Sequence, residues 1–194
     1  MKTIAITTLS LLFGASLAFS QCSAVRNFLD VSFLGNETHQ VNGTMGLVNS
    51  TGIAVRYGKT IGGFSYFLGV TNRNASIMFD EGFFQTGRQT LGFGLKQELV
   101  HFGRFSMAPL VSVYGGRMQW SAVGDVGLVD NYRYSSTMLG TEVGLEADYS
   151  LLCFLDVFGR STMAFEKGLK SSDAYPVEYL QARPISEIGL RLSI

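Results

Sequence analysis

Hydrophobic and polar residues alternate with a period of two along most of the chain, the mark of strands whose two faces meet different surroundings. From Thr90 to Leu99, Leu91, Phe93, Leu95 and Leu99 share one face, while Thr90, Gly92, Gly94, Lys96 and Glu98 share the other. From Gly140 to Tyr149, Thr141, Val143, Leu145, Ala147 and Tyr149 oppose Gly140, Glu142, Gly144, Glu146 and Asp148. At the end of the chain Ile188, Leu190, Leu192 and Ile194 alternate with Glu187, Gly189, Arg191 and Ser193. Weaker alternation elsewhere completes a set of predicted strands at about 25–34, 52–59, 63–72, 89–99, 105–119, 133–149, 152–165 and 186–194.

The connections alternate too. Those near 60–62, 100–104 and 150–151 are tight, and those near 35–51, 73–88, 120–132 and 166–185 are long and polar or mixed. Short turns at one end and long loops at the other, joined by strands of about ten residues, predict an antiparallel up-and-down transmembrane β-barrel of about eight strands. Alternation alone leaves a second reading open. A secreted soluble β-barrel binding a small apolar ligand shows the same pattern with its apolar face turned inward.

The N-terminus changes the picture by adding export. Lys2, an apolar run from Ile4 to about Leu17 and the small residues of Ala18-Phe19-Ser20 read as a cleaved signal peptide over 1–20. The barrel domain is then 21–194, and the expected destination is the bacterial outer membrane. Outside the leader there is no apolar run long enough for a membrane-spanning helix. Lys plus Arg number 15 and Asp plus Glu 15, so the chain has no basic footprint for nucleic acid. Cys22 and Cys153 both fall near the tight-turn end, but Cys153 shares the parity of Leu155 and Val157, which argues against their pairing.

The eight-segment layout, the leader and the terminal strand Ile185-Ser-Glu-Ile-Gly-Leu-Arg-Leu-Ser-Ile194 resemble the small outer-membrane barrels of the OmpX/Ail type and the membrane domain of OmpA. The resemblance covers about residues 25–194 and is one of architecture. It implies a monomer in contact with lipopolysaccharide and phospholipid, anchored by the barrel, with long outer loops that could meet a host or surface ligand in an adhesion-like role. That family's terminal strands usually end in an aromatic residue, whereas this chain has Ile194.

An eight-stranded barrel is just wide enough to be filled by side chains. If its polar face turns inward, Arg56, Lys96, Glu98, Glu142, Glu146, Asp148, Asp156, Arg160, Glu187 and Arg191 share that space. Buried charges persist only when paired, and both signs are present, so an ionic plug is expected. In the second long loop Phe79, Phe83 and Phe84 stand beside Asp80 and Glu81. They are candidate contact residues, or part of an aromatic girdle with Trp120, Tyr132 and Tyr134. A lipid-modifying enzyme would need a histidine at the outer rim. His39 has no recognisable catalytic surroundings and His101 falls in a tight turn at the opposite end, so no enzyme is expected. Neither spacing nor composition suggests a cofactor or a metal site.

Overall fold

The computed structural model describes residues 25–35, 37–41, 44–79, 82–124, 133–169 and 180–194. These residues form strands and turns and contain no helix. The strands are β1 (Val25–Leu34), β2 (Glu37–Val41), β3 (Thr44–Ile61), β4 (Phe64–Phe79), β5 (Gly82–Gln97), β6 (Val100–Phe102), β7 (Phe105–Gly124), β8 (Arg133–Leu152), β9 (Leu155–Leu169) and β10 (Leu180–Ser193). Eight of them close an antiparallel barrel in the order β1-β10-β9-β8-β7-β5-β4-β3, and β3 returns to pair with β1. The two short strands extend this wall: β2 folds back on β3, and β6 lies along the start of β7.

Each predicted strand has a counterpart, but most run further. The segment expected to loop out from 73 to 88 is a paired ladder, with Arg73 opposite Arg88 and the pairing carried up to Phe79 and Gly82. Likewise β7 reaches Gly124, and β10 begins at Leu180. Amphipathic alternation marks only the stretch where the two faces differ. Beyond it polar and apolar residues mix without a regular period, as in Arg73-Asn-Ala-Ser-Ile-Met-Phe79, yet the hydrogen-bonded hairpin still satisfies its backbone groups and so continues.

At the opposite end the turns are tight. Gly62 and Gly63 both have positive φ, 56° and 82°, the conformation a two-residue hairpin loop needs to match the twist of its strands. The β8–β9 turn falls at Cys153 and Phe154, after an irregularity between Ser150 and Leu152, slightly later than the expected 150–151. The backbones of Asn27 and Ile194 exchange hydrogen bonds at this same end. Cys22 lies outside the described residues, and Cys153 is exposed.

The glycines of the polar faces serve the narrow interior. Buried Phe28, Phe67, Tyr114 and Phe158 each lie across the ladder from a glycine: Gly58, Gly94, Gly140 and Gly189. A Cβ built on any of the four would overlap the ring opposite. The alternation of glycine with charge is thus a packing device, in which one strand gives up side-chain volume so that its neighbour can place an aromatic ring in the lumen.

Gly94→Val should therefore lower stability by about 1–3 kcal/mol, as overpacking of a filled interior does. Gly159→Ala adds a methyl where nothing lies within 4 Å, and should stay within about 0.5 kcal/mol of the parent. Urea unfolding of the protein in lipid vesicles measures both, and equal effects would show that the rings do not depend on the glycines.

Candidate functional site: the ion-filled interior

The inward parity of every barrel strand delivers polar side chains to one lumen, and these form two clusters. The larger centres on Glu146 of β8, which has no exposed surface. Its Oε1 accepts hydrogen bonds from Lys96 Nζ at 2.5 Å and Arg191 Nη2 at 2.9 Å. Its Oε2 accepts from Arg160 Nε at 2.9 Å, and Arg160 Nη2 donates to the same oxygen. One carboxylate thus holds cations from β5, β9 and β10.

The contacts spread outward from there. Arg191 grips Asp30 of β1 in a bidentate pair, with Nε to Oδ1 at 2.7 Å and Nη2 to Oδ2 at 2.8 Å, and its Nη1 donates to Asp148. Arg56 of β3 donates to Glu187 of β10 at 2.8 Å and to Ser32 Oγ at 3.0 Å, while the Ser32 hydroxyl donates to the other Glu187 oxygen. Buried rings complete the packing. Arg191 lies 4.8 Å from the centroid of Phe28 and 5.1 Å from that of Phe158, and Arg160 lies 5.4 Å from Phe67 and 5.5 Å from Phe158. Guanidinium faces suit such stacking because they are planar and weakly hydrated.

The second cluster lies toward the long-connection end, around Glu166 of β9. Arg183 of β10 donates to both of its oxygens, at 3.0 and 2.5 Å, and Tyr114 of β7 donates its hydroxyl at 2.8 Å. Arg88 Nε lies 3.9 Å from Glu166 and donates to Met118 Sδ at 3.1 Å. Arg73 is buried directly across the ladder from Arg88. Half-buried Glu142 accepts a hydrogen bond from Ser112 at 3.3 Å.

Of the residues expected to share the interior, Arg56, Lys96, Glu146, Asp148, Arg160, Glu187 and Arg191 meet in the first cluster. Asp156 sits at its mouth, half-buried, on the wall of a cavity of about 170 Å³ at the tight-turn end that also touches Lys96, Asp148 and Arg191. Glu98 stands apart. It follows the last residue of β5, is exposed, and lies 3.2 Å from His101 Nδ1 at the rim, because the strand ends before parity can carry it inward.

Sequence reasoning missed Arg73, Arg88, Glu166 and Arg183 by assigning them to loops or loop margins, and left Asp30 and Tyr114 out of the interior set although alternation puts both on the polar faces of their strands. Parity held the signal throughout: Arg88 continues the face of Lys96, Glu166 that of Asp156 and Arg160, and Arg183 that of Glu187 and Arg191. The backbone of Phe79, Phe83 and Phe84 forms the end of the β4–β5 hairpin rather than a loop, and their side chains lie outside what the structure describes. The same holds for the side chains of Trp120, Tyr134 and His39, and Tyr132 lies outside the described residues altogether.

No protein-family model matches the chain, and no curated protein sequence does either. Solved structures do. A major outer membrane protein from Thermus thermophilus aligns with a TM-score of 0.57 at 12% identity, covering 89% of this chain and 100% of that one. Neisserial surface protein A aligns at 0.52 and 13% identity, covering 89% and 98%. Ail, the attachment invasion locus protein of Yersinia pestis, aligns at 0.52 and 10% identity, covering 87% and 98%. At such identities the likeness is one of fold: the chain has the architecture of small eight-stranded outer-membrane barrels.

Removing one partner from a buried ion network leaves the others uncompensated, at a cost of about 3–5 kcal/mol. Glu146→Gln should therefore destabilise the barrel by about that much in urea titrations, whereas Glu98→Gln at the exposed rim should change it by less than about 0.5 kcal/mol. Comparable shifts for the two variants would contradict a network centred on Glu146.

Proposed function

We propose that the protein is an integral barrel of the bacterial outer membrane, exported by its N-terminal leader, whose interior is an ionic plug and whose projecting hairpins contact ligands at the cell surface. One observation carries the membrane placement: the large apolar side chains point outward. Leu68, Val70, Leu91, Val113, Leu145 and Ile188 are each more than half exposed on the outer wall of a barrel whose lumen is charged. In water that arrangement exposes a continuous apolar surface far larger than soluble monomers tolerate. In a bilayer it places hydrocarbon against hydrocarbon, and the closed barrel satisfies its own backbone.

A carrier of small apolar ligands needs the reverse arrangement, an apolar cavity, and the described lumen instead holds paired charges. The plug's role is cohesion. Charges from strands on different sides of the lumen meet on shared partners, and the narrow bore leaves the protein an anchor rather than an open pore.

The surface role rests on shape. Exposed Asn72, Gln89, Arg117, Thr137 and Lys167 ring the barrel where the apolar belt ends, and the β4–β5–β7 ladder continues above them to Gly82 opposite Gly124. The residues of β4 beyond Asn72, about seven of them, rise about 15–20 Å once strand tilt is allowed for. Such a sheet, well clear of the lipid, suits contact with another surface. The names of Neisserial surface protein A and of the attachment invasion locus protein fit the same reading.

In fractionated cells the protein should appear in the outer membrane and migrate differently on gels with and without boiling; a soluble, heat-insensitive protein would overturn the membrane reading. Val143→Arg on the lipid face should cost about 2–4 kcal/mol. Replacing residues 77–84 by Asn-Gly should leave the heat shift intact but reduce adhesion of an expressing, otherwise non-adherent strain to epithelial monolayers several-fold. Unchanged adhesion after trimming both the β4–β5 and β7–β8 hairpins would contradict the surface role.

A further inference from the structure

The tight-turn end carries large apolar side chains to its tip, beside exposed Glu98, His101 and Arg104. Ile61 and Phe64 flank the glycines of the β3–β4 turn, Leu151 and Leu152 lead into the β8–β9 turn, and Ile194 ends the chain beside them, all exposed. The most exposed apolar side chains are at the β5–β7 connection, where β6 lays Val100–Phe102 along β7, and where Leu99 is 67% and Phe102 83% exposed. Turns standing in water have no reason to carry such side chains.

Belt height points the same way. Between the exposed polar ring and the tight turns, the outward apolar residues run from Ile53 to Ile61 on β3, from Leu91 on β5 to Leu99 just past its end, from Phe105 to Val113 on β7 and from Leu139 to Leu151 on β8. About eight to twelve residue steps of roughly 3.3 Å, tilted by about 40°, give about 20–30 Å, against a lipid-facing band of about 25 Å for such barrels. The polar ring, with Lys167 and Arg117, fixes the upper edge. On β3, β5 and β7 the missing height has to come from the other end.

We propose that the tight turns lie within the periplasmic leaflet rather than in the periplasm, with Phe102 and Leu99 among the phospholipid acyl chains. This rests on the membrane placement argued above and extends it to the lipid each end meets. The occupant is phospholipid because the surface is continuous with the lipid-facing belt. Cations also stand where headgroup phosphates would be: Arg104 is exposed two residues after Phe102, and Lys59 is partly exposed on the outer face between Tyr57 and Ile61. Long basic side chains at such a boundary bury their stems and lift their charge to the interface. The turns then act as a fixed stop that sets how far the opposite hairpins project.

Fluorescence quenching tests this in the full chain. In a Trp120→Phe background, Phe102→Trp places the only tryptophan at the turn, and Leu68→Trp, in a separate variant, places it in the belt; a retained heat shift verifies folding of each. Both are reconstituted into phosphatidylethanolamine–phosphatidylglycerol vesicles with acyl-chain-brominated lipid or with aqueous iodide. The expected result is that bromine quenches both, and that iodide quenches the turn tryptophan at least about fivefold less than free tryptophan. If iodide quenches it as it does free tryptophan while the belt tryptophan still responds to bromine, the turn is in water, and the proposal fails with the membrane barrel intact. If neither responds to bromine, the membrane placement itself is wrong.

Discussion

A single carboxylate shared by three cations holds the centre of this barrel. Glu146 projects from β8 and meets Lys96 of β5 and Arg160 and Arg191 of β9 and β10. Lys96 reaches it past the intervening β7, so the contact ties the wall across the lumen rather than along the ladder. Arg191 passes the connection on to β1 through Asp30, and Glu187 passes it to β3 through Arg56. Backbone pairing closes the cylinder between neighbours, and Lys96–Glu146, Arg191–Glu146 and Arg56–Glu187 each join strands that are not neighbours. These charges are individually costly to bury and cohere because the donors find anionic acceptors.

The rest of the architecture accommodates that network. An eight-stranded lumen has room for Arg and Glu side chains and a few rings only if some positions carry no side chain, hence the glycines opposite Phe28, Phe67, Tyr114 and Phe158. With charge and rings inside, the apolar residues have to face out. The two ends of the cylinder then differ in kind, one carrying exposed apolar side chains down to its turns and the other continuing as paired strands beyond a polar ring.

Much of this was legible as alternation. The first strand coincides with its predicted bounds, and the tight turns fall within a few residues of theirs, because there the lipid-facing and lumen-facing patterns both persist. The long-connection ends were misread because regular alternation fades there into a mixture of polar and apolar residues, although hydrogen bonding goes on; Arg73, Arg88, Glu166 and Arg183 were lost with them. Parity placed Lys96 and Glu146 on polar faces, but it could not show that Glu98, two positions past Lys96, falls beyond the strand's end. Nor could it distinguish inside from outside. That distinction came from the three-dimensional closure, which shows which face encloses the lumen.

The most direct test of that inversion is nitroxide scanning along β8 from 139 to 149, with the native cysteines replaced by serine and the protein in lipid vesicles. A period-two profile is expected: odd positions such as Val143 and Leu145 open to lipid-dissolved oxygen, and even positions such as Glu146 and Asp148 reached by neither oxygen nor an aqueous relaxant. The opposite phase, with odd positions shielded and even positions open to the aqueous reagent, would contradict it and return the apolar face to the core.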